Sequence, residues 1–299
     1  MFLCLELVSV LKATFANMIL KSIQTGYFKL DGGAMFGVVP RSMWSKLNPP
    51  DDNNLCTWAM RTLLVQTNGR NILIDTGIGN KQDDKFRSHF EPFGEASLFG
   101  SLEQAGLARE DITDVFLTHL HFDHCGGALW KNEATGIAEL SFPNATYWSN
   151  ERHFNWAMQP NDREKASFLK ENFVPLLEMG RLKFLEVEQN LEFCPGFKVQ
   201  FVYGHTEAMM VPVLQTDQGT VIFCADSMPS QWHIGMPYIM AYDIRPLETL
   251  REKAEMLEEA ATKGHILFFE HDPVAECGKV RRSESGRIVL DKVGMLSEM

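Results

Sequence analysis

The sequence predicts a layered α/β fold, and three observations carry that expectation. Of 299 residues, 45% are hydrophobic, which excludes a disordered chain and leaves enough apolar side chain for a sizeable core. Short apolar runs of β-compatible residues alternate with segments of helical character. Several of those runs stop at a histidine or an aspartate, the place where sites are built in α/β layers. At roughly 150 residues per domain the length allows about two domains or one large α/β domain. No composition break or short-period repeat demands a boundary.

Taken in order, residues 1–17 (MFLCLELVSVLKATFAN) are apolar, but Glu6 interrupts them and no basic region precedes the apolar stretch. They are expected to be an N-terminal extension, with translation starting at Met18 and one domain over 18–299; export is the alternative. Residues 57–66 (TWAMRTLLVQ) read as a strand. Asn68-Gly69 supplies hairpin-turn chemistry, and 71–75 (NILID) reads as the returning strand. Residues 97–105 look helical and are closed by Gly106. Residues 115–118 (VFLT) form a short buried strand that runs into His119. Residues 148–180 are less regular and rich in aromatic side chains, most of them suited to packing and a few to a pocket or lid.

The second half repeats this grammar. A strand over 197–203 ends at Gly204-His205. Residues 210–216 and 220–225 form a hairpin about Asp217-Gln218-Gly219, and its second arm ends at Asp226. Residues 247–263 form an amphipathic helix closed by Gly264, and a last buried strand over 266–269 ends at Glu270-His271.

Lys plus Arg number 28 against 39 Asp plus Glu, a net charge of −11. That excess of acid argues against a nucleic-acid backbone as partner, and less strongly against a membrane surface. No apolar run reaches the ~18 residues of a spanning helix. The six cysteines show no CxxC spacing, which suits reduced thiols in a cytoplasmic protein.

The chemistry is concentrated in His119-Leu120-His121-Phe122-Asp123-His124, followed by Cys125-Gly126-Gly127. In an extended segment His119 and His121 point the same way, while Asp123 and His124 lie past a turn and can face a second point nearby. One metal cannot easily take all four from so short a stretch; two metals a few ångströms apart can. Borderline divalent ions such as zinc favour imidazole with carboxylate. Buried without metal, the same groups would leave costly unpaired polar atoms. A purely structural zinc site usually uses cysteine and closes its fourth position. Gly126-Gly127 would let the backbone pack tightly after the loop.

This HxHxDH motif resembles that of the metallo-β-lactamase superfamily, and the resemblance extends from about residue 19 to residue 272. Asp75 in LIDTG, His205 in YGHT, Asp226 in FCADS and His271 in FFEHD match the family's other site positions. The resemblance implies a four-layer αββα sandwich of two similar halves. It implies two divalent cations, zinc first with iron or manganese as alternatives. His119, His121 and His205 would hold one, and Asp123, His124 and His271 the other, with Asp226 between them. Asp75 would steady the metal loop, and Thr206 is grouped with it as a supporting residue.

Residues 31–40 (DGGAMFGVVP), Trp44 and Pro49-Pro50 resemble a subgroup of N-acyl-homoserine lactone lactonases and methyl parathion hydrolases. For Phe36 and Trp44, packing of an N-terminal strand is the alternative. Two departures bear on substrate. The tyrosine that the lactonases carry three residues after the bridging aspartate is Pro229 here, and the usual GHTPGH reads Gly204-His205-Thr206-Glu207-Ala208-Met209.

The implied chemistry is hydrolysis by a water that two metals share, with Asp123 and Asp226 as catalytic carboxylates. An ester or lactone with an apolar group is the first substrate class, and a phosphotriester or thioester the alternative. A β-lactam fits less well, since the commonest such enzymes have cysteine at the position of Asp226. Phe36, Trp44, Met228, Trp232 and Met236 are candidates for the apolar pocket. A metal-dependent sensor without turnover is a further reading, and a homodimer stays open. His89, His153, His233 and His265 are expected at the surface or at caps, with His233 the best placed for substrate. Alternation would point Glu270 away from the metals.

Overall fold

The computed structural model describes residues 18–189 and 191–299; the extension expected over residues 1–17 lies outside them. The first half contains β1 (Ile19–Asp31), β2 (Leu55–Thr67), β3 (Arg70–Ile74) and β4 (Asp114–Phe116). A small hairpin of β5 (Leu129–Lys131) and β6 (Ala138–Leu140) follows, then β7 (Thr146–Asn150) and β8 (Leu182–Leu185). The second half contains β9 (Leu191–Cys194), β10 (Phe197–Val202), β11 (Met209–Thr216) and β12 (Gly219–Phe223). It ends with β13 (Ile266–Phe268), β14 (Cys277–Arg282) and β15 (Ile288–Gly294). One sheet has the order β1-β2-β3-β4-β7-β8 and the other β15-β14-β13-β12-β11-β10-β9.

Each sheet changes from antiparallel to parallel pairing next to its site loops. β2 and β3 form an antiparallel hairpin, and β3 then runs parallel to β4. β11 and β12 form an antiparallel hairpin, and β12 then runs parallel to β13. The first hairpin turns at Asn68 and Gly69, both with positive φ, as a two-residue primed turn requires. The carboxyl ends of β3, β4, β12 and β13 therefore point to one edge of the molecule, where Asp75, His119, Asp226 and His271 follow.

Side-chain alternation in the strands builds the layers. Leu63, Val65, Ile72, Ile74 and Phe116 of the first sheet pack with Phe197, Val199, Val211 and Phe223 of the second. The intervening Leu64, Leu73 and Val115 face outward into a second cluster with Leu98, Leu102, Phe154, Ala157 and Leu176. Those residues come from the helices Leu98–Gln104, Glu151–Met158 and Val174–Glu178. Met256, Leu257 and Ala260 of the helix Pro246–Lys263 cover the second sheet. The result is the helix–sheet–sheet–helix order that the family resemblance implies.

The strand alternative weighed for Phe36 and Trp44 does not hold, and two further strands join the second sheet. Residues 31–40 do not continue the N-terminal strand: short helices occupy Gly32–Phe36 and Arg41–Trp44. Asp31 caps the first of them by accepting from the Ala34 N–H at 2.8 Å. The strands β14 and β15, which sequence periodicity did not single out, extend the second sheet; β15 lies at its edge and carries Asp291 and Lys292 there.

The glycine pair after the motif is used as expected. A Cβ at Gly126 would lie 2.2 Å from the Ile78 carbonyl oxygen, and one at Gly127 2.1 Å from that of Thr76. Only bare backbone lets residues 76–79 lie against the metal-motif loop. Gly126→Ala is expected to cost about 1–3 kcal/mol by overpacking. For a chain of this size that lowers Tm by roughly 2–10 °C, measured by thermal denaturation.

Candidate metal centre

Seven side chains from four loops meet at this edge of the sheets. β4 ends at Phe116, and the extended residues after it place His119 Nε2 3.1 Å from His121 Nδ1. The chain then enters the helical turn Phe122–Cys125, which swings Asp123 and His124 to the other side. His205 follows β10, and its Nε2 lies 3.2 Å from His121 Nδ1. His271 follows β13, and its Nε2 lies 3.2 Å from His124 Nε2. Asp123 Oδ2 is 3.8 Å from both His124 Nε2 and His271 Nε2.

Asp226 stands between the two sets. Its Oδ2 lies 3.0 Å from His205 Nε2 and 3.8 Å from His119 Nε2. Its Oδ1 lies 3.2 Å from His271 Nε2 and 3.6 Å from His124 Nε2. All seven side chains are buried.

The outward nitrogens assign the tautomers. Thr118 Oγ1 donates to Asp75 Oδ2 at 2.6 Å, so it accepts from His119 Nδ1 at 3.0 Å. His205 Nδ1 donates to Asp243 Oδ1 at 2.8 Å, and His271 Nδ1 to the Ala59 carbonyl at 2.8 Å. His124 Nδ1 lies 3.1 Å from both Asp75 Oδ2 and Glu270 Oε2. Each proton sits on the outer nitrogen, so the inner nitrogens turn bare lone pairs toward one another at little more than 3 Å. Such an arrangement repels itself unless a cation lies between the nitrogens. Tetrahedral zinc with bonds of about 2.0–2.1 Å to nitrogen separates its ligand atoms by roughly 3.3–3.4 Å. Asp226 Oδ1 is buried without a hydrogen-bond donor among the described residues, which marks the same need for positive charge. The donor set therefore fits two divalent ions.

The titration of the side chains tells the same story. Burial opposes charge on His205, but Asp226 and Asp243 outweigh it and push the imidazole up to about 10. Burial likewise opposes charge on His124, and Glu270, Asp226 and Asp123 hold it well above the ordinary value. Burial also works against the Asp226 carboxylate, yet His124, His205 and His271 hold it well below the usual range. The cluster demands cations, whether protons or metal ions.

Three ordinary residues hold strained backbone here. Asp75, Ala208 and Ala225 have φ values of 60°, 51° and 43°. Each follows or precedes a strand end at the site, where such strain concentrates. Asp75 is held by accepting from the Thr118 N–H at 2.8 Å. Ala208 occupies the place of the glycine in the usual GHTPGH. Glu207, at the place of the proline, receives Arg245 Nη2 at 2.6 Å and pairs with Arg152. The altered segment therefore ties His205's loop to its surroundings by ion pairs.

Several contributors were hidden from sequence reasoning. Glu252 of the long helix accepts from the Tyr203 and Gly204 N–H groups at 2.7 and 3.0 Å, fixing the approach to His205. Asp243 comes from a loop with no motif. Glu270 does not face the inner nitrogens, as alternation predicts, but it lies against His124 rather than in inert packing. Burial and neighbouring Asp75 raise its carboxyl to about 8. His153 and His233 are not surface residues. His153 accepts from the Leu120 N–H at 2.9 Å and donates to the Glu207 carbonyl at 2.6 Å, clamping the centre of the motif. His233 donates to the Met35 carbonyl at 2.9 Å, accepts from Ser230 and stacks on Phe36. His89 is exposed, as expected, and His265 is largely covered.

A cavity of about 230 Å³ opens beside the inner nitrogens. Leu30, Met35, Phe90, Phe122 and Met240 form its apolar wall, and Asp123, Arg163, Glu164 and Tyr242 its polar one. None of the five side chains expected there from sequence lines it. Phe36 and Trp44 stack on each other in a buried cluster, with Trp232 packed against Phe36. Met228 is in the main core, and Met236 is on the surface. The helical fold of residues 32–44 turns these rings inward, and Met35 reaches the cavity instead. Pro229 does not face it; its carbonyl accepts from the His271 N–H at 3.0 Å. Thr206 donates to Glu164 Oε1 at 2.6 Å, behind His121 and His205.

Comparison with known proteins places this geometry in context. A profile of the metallo-beta-lactamase superfamily matches residues 61–265. An N-acyl homoserine lactonase of Bacillus cereus is 23% identical over 251 residues, covering 79% of this chain and 89% of its own. The crystal structure of a probable metal-dependent hydrolase from Staphylococcus aureus superposes with a TM-score of 0.83 at 28% identity, covering 94% of this chain and 97% of its own. AidC, a dizinc quorum-quenching lactonase in complex with a product, superposes with a TM-score of 0.72 at 22% identity, covering 93% and 95%.

Burial lowers both His153 and His233 to about 3, which has a signed consequence for stability. A histidine depressed on folding contributes stability above its unfolded value near 6.5, and loses it as pH falls toward the folded value. Each is expected to cost about 2 kcal/mol between pH 7 and pH 5. Urea denaturation across that range should show the slope, and His233→Gln should reduce it.

Proposed function

The chain belongs to the metallo-β-lactamase superfamily, and from that premise we propose that it is a dinuclear metal-dependent hydrolase acting on an ester or lactone with an apolar group. N-acyl-homoserine lactones are the first compounds to test. The observation that carries this reading is the Asp226 carboxylate, with one oxygen toward His119 and His205 and the other toward His124 and His271. We assign His119, His121 and His205 to one ion, Asp123, His124 and His271 to the other, and Asp226 to both. Zinc suits these donors, with iron and manganese as alternatives. When bound, two such ions would supply a water activated near neutral pH and a Lewis acid for the oxygen of the scissile group.

The chain's own groups do the rest. Asp123 lines the cavity next to His124 and His271, where its carboxylate can accept a proton and deliver it toward the leaving group. Tyr242 lines the same wall. Burial, with Asp31, Asp123 and Asp226 nearby, pushes its phenol up, so the hydroxyl stays protonated and can donate to a substrate oxygen. Leu30, Met35, Phe90, Phe122 and Met240 accept an acyl chain or an aromatic group and exclude water around the reacting bond. The lactone chemistry named for the Bacillus cereus protein and for AidC supports this substrate class.

The test is a hydrolysis panel of lactones, esters, thioesters and phosphotriesters on metal-analysed protein. Wild-type protein is expected to hold about two metals per chain. Asp226→Ala should lose activity by orders of magnitude; equal rates in the two proteins would refute the mechanism. Tyr242→Phe should lower kcat about 10–100-fold with little change in metal content.

A further inference from the structure

Four of the five imidazoles that turn a nitrogen into the site have their other nitrogen against an oxygen: Thr118 for His119, Asp75 and Glu270 for His124, Asp243 for His205, and the Ala59 carbonyl for His271. His121 is the exception. It turns Nδ1 inward, so its proton lies on Nε2, and that buried nitrogen has no hydrogen-bond partner among the described residues. The group facing it is Glu164, whose Oε1 stands 3.8 Å away.

Glu164 is itself almost wholly buried, and its neighbours aim it. Thr206 donates to Oε1 at 2.6 Å, while Trp156 Nε1 and Asn161 Nδ2 donate to Oε2 at 2.8 and 2.6 Å. All three donors are neutral, so the carboxylate keeps its negative charge for His121. The same turn reaches a second imidazole of that set. Arg163 Nη2 donates to the carbonyls of Ala241 and Asp243, and the Asp243 carboxylate holds His205. Four residues on, the Phe168 ring lies 4.7 Å from the His121 ring.

We propose that Glu164 is the positioning carboxylate for His121, and that the turn carrying it sets the affinity of the metal subsite made by His119, His121 and His205. A small rotation of the imidazole closes the 3.8 Å gap, fixes the tautomer with its lone pair inward and raises that nitrogen's basicity. The Asp123–His124–His271 subsite has separate supports and does not depend on Glu164. This inference rests on the dinuclear reading above.

The experiment is zinc titration of chelator-stripped protein against a chromogenic competitor, read alongside circular dichroism. Wild-type protein should show two tight sites. Glu164→Gln should keep one tight site and weaken the other about 10–100-fold. Thr206→Val, a smaller change that removes the hydroxyl aiming Oε1, should weaken the same site by less. Cobalt(II) bound at the weakened site should show an altered visible spectrum. Two wild-type-like sites in Glu164→Gln would overturn the assignment of Glu164 alone. Loss of both sites in step with loss of folded protein would overturn it too, reducing Glu164 to packing. Wild-type protein that takes up no zinc would instead overturn the metal-centre reading itself.

Discussion

A carboxylate removed from water and faced by imidazoles on both sides is the constraint around which this molecule is arranged. Asp226 is buried, and one of its oxygens has no donor among the described residues. Desolvating such a group is costly unless positive charge comes to meet it. The inward lone pairs of His119, His121, His205, His124 and His271 impose the same demand from the other side. Neither set is tolerable alone, and together they are satisfied by cations. The reversal from antiparallel to parallel pairing in each sheet is what allows it. It brings the ends of β3, β4, β12 and β13 to one edge, so loops distant in sequence deliver their side chains to one place.

Holding the inner atoms requires an outer layer nearly as specific. Asp75 and Glu270 both reach the outward nitrogen of His124, Asp243 that of His205, and the Ala59 carbonyl that of His271. His153 clamps Leu120 between His119 and His121 by its own hydrogen bonds. Some of this rigidity carries strain, since Asp75, Ala208 and Ala225 adopt left-handed backbone that alanine and aspartate disfavour. Surrounding ties keep them there: Thr118 holds Asp75, and the Arg152 and Arg245 contacts of Glu207 flank Ala208. Lys253 does similar work nearby. Its ammonium donates to the carbonyls of His233, Gly235 and Tyr238 at 2.9, 3.0 and 2.9 Å. Burial pulls it down toward about 7, but three acceptors use all three of its N–H bonds and favour the charged form.

The cavity beside the centre is a tertiary product. Its walls come from β1, the helix Gly32–Phe36, the turn at 163–167 and the loop at 240–242. In none of these segments do neighbouring residues announce a pocket. The aromatic side chains that look most available in the sequence, Phe36 and Trp44, are consumed in packing with Trp58, Trp232 and His233. Large flat rings bury the most area by stacking on one another, so the cavity is lined instead by neighbours such as Met35 and Met240.

The strands that lead into the site, the turn at Asn68-Gly69, the helix closed by Gly264 and the side chains that end those strands were readable from the chain, because these are consequences of local chemistry: alternation, capping and turn propensity. The four polar residues of the HxHxDH segment were legible for the same reason, since their spacing alone divides them between two directions. What lay beyond local pattern was every contact between segments without a shared period: Asp243 behind His205, Glu252 under Tyr203, Glu164 opposite His121, and the inward turn of Phe36. Those positions depend on where a long helix and irregular loops settle against two finished sheets. Packing decides that, and no run of neighbouring residues encodes it.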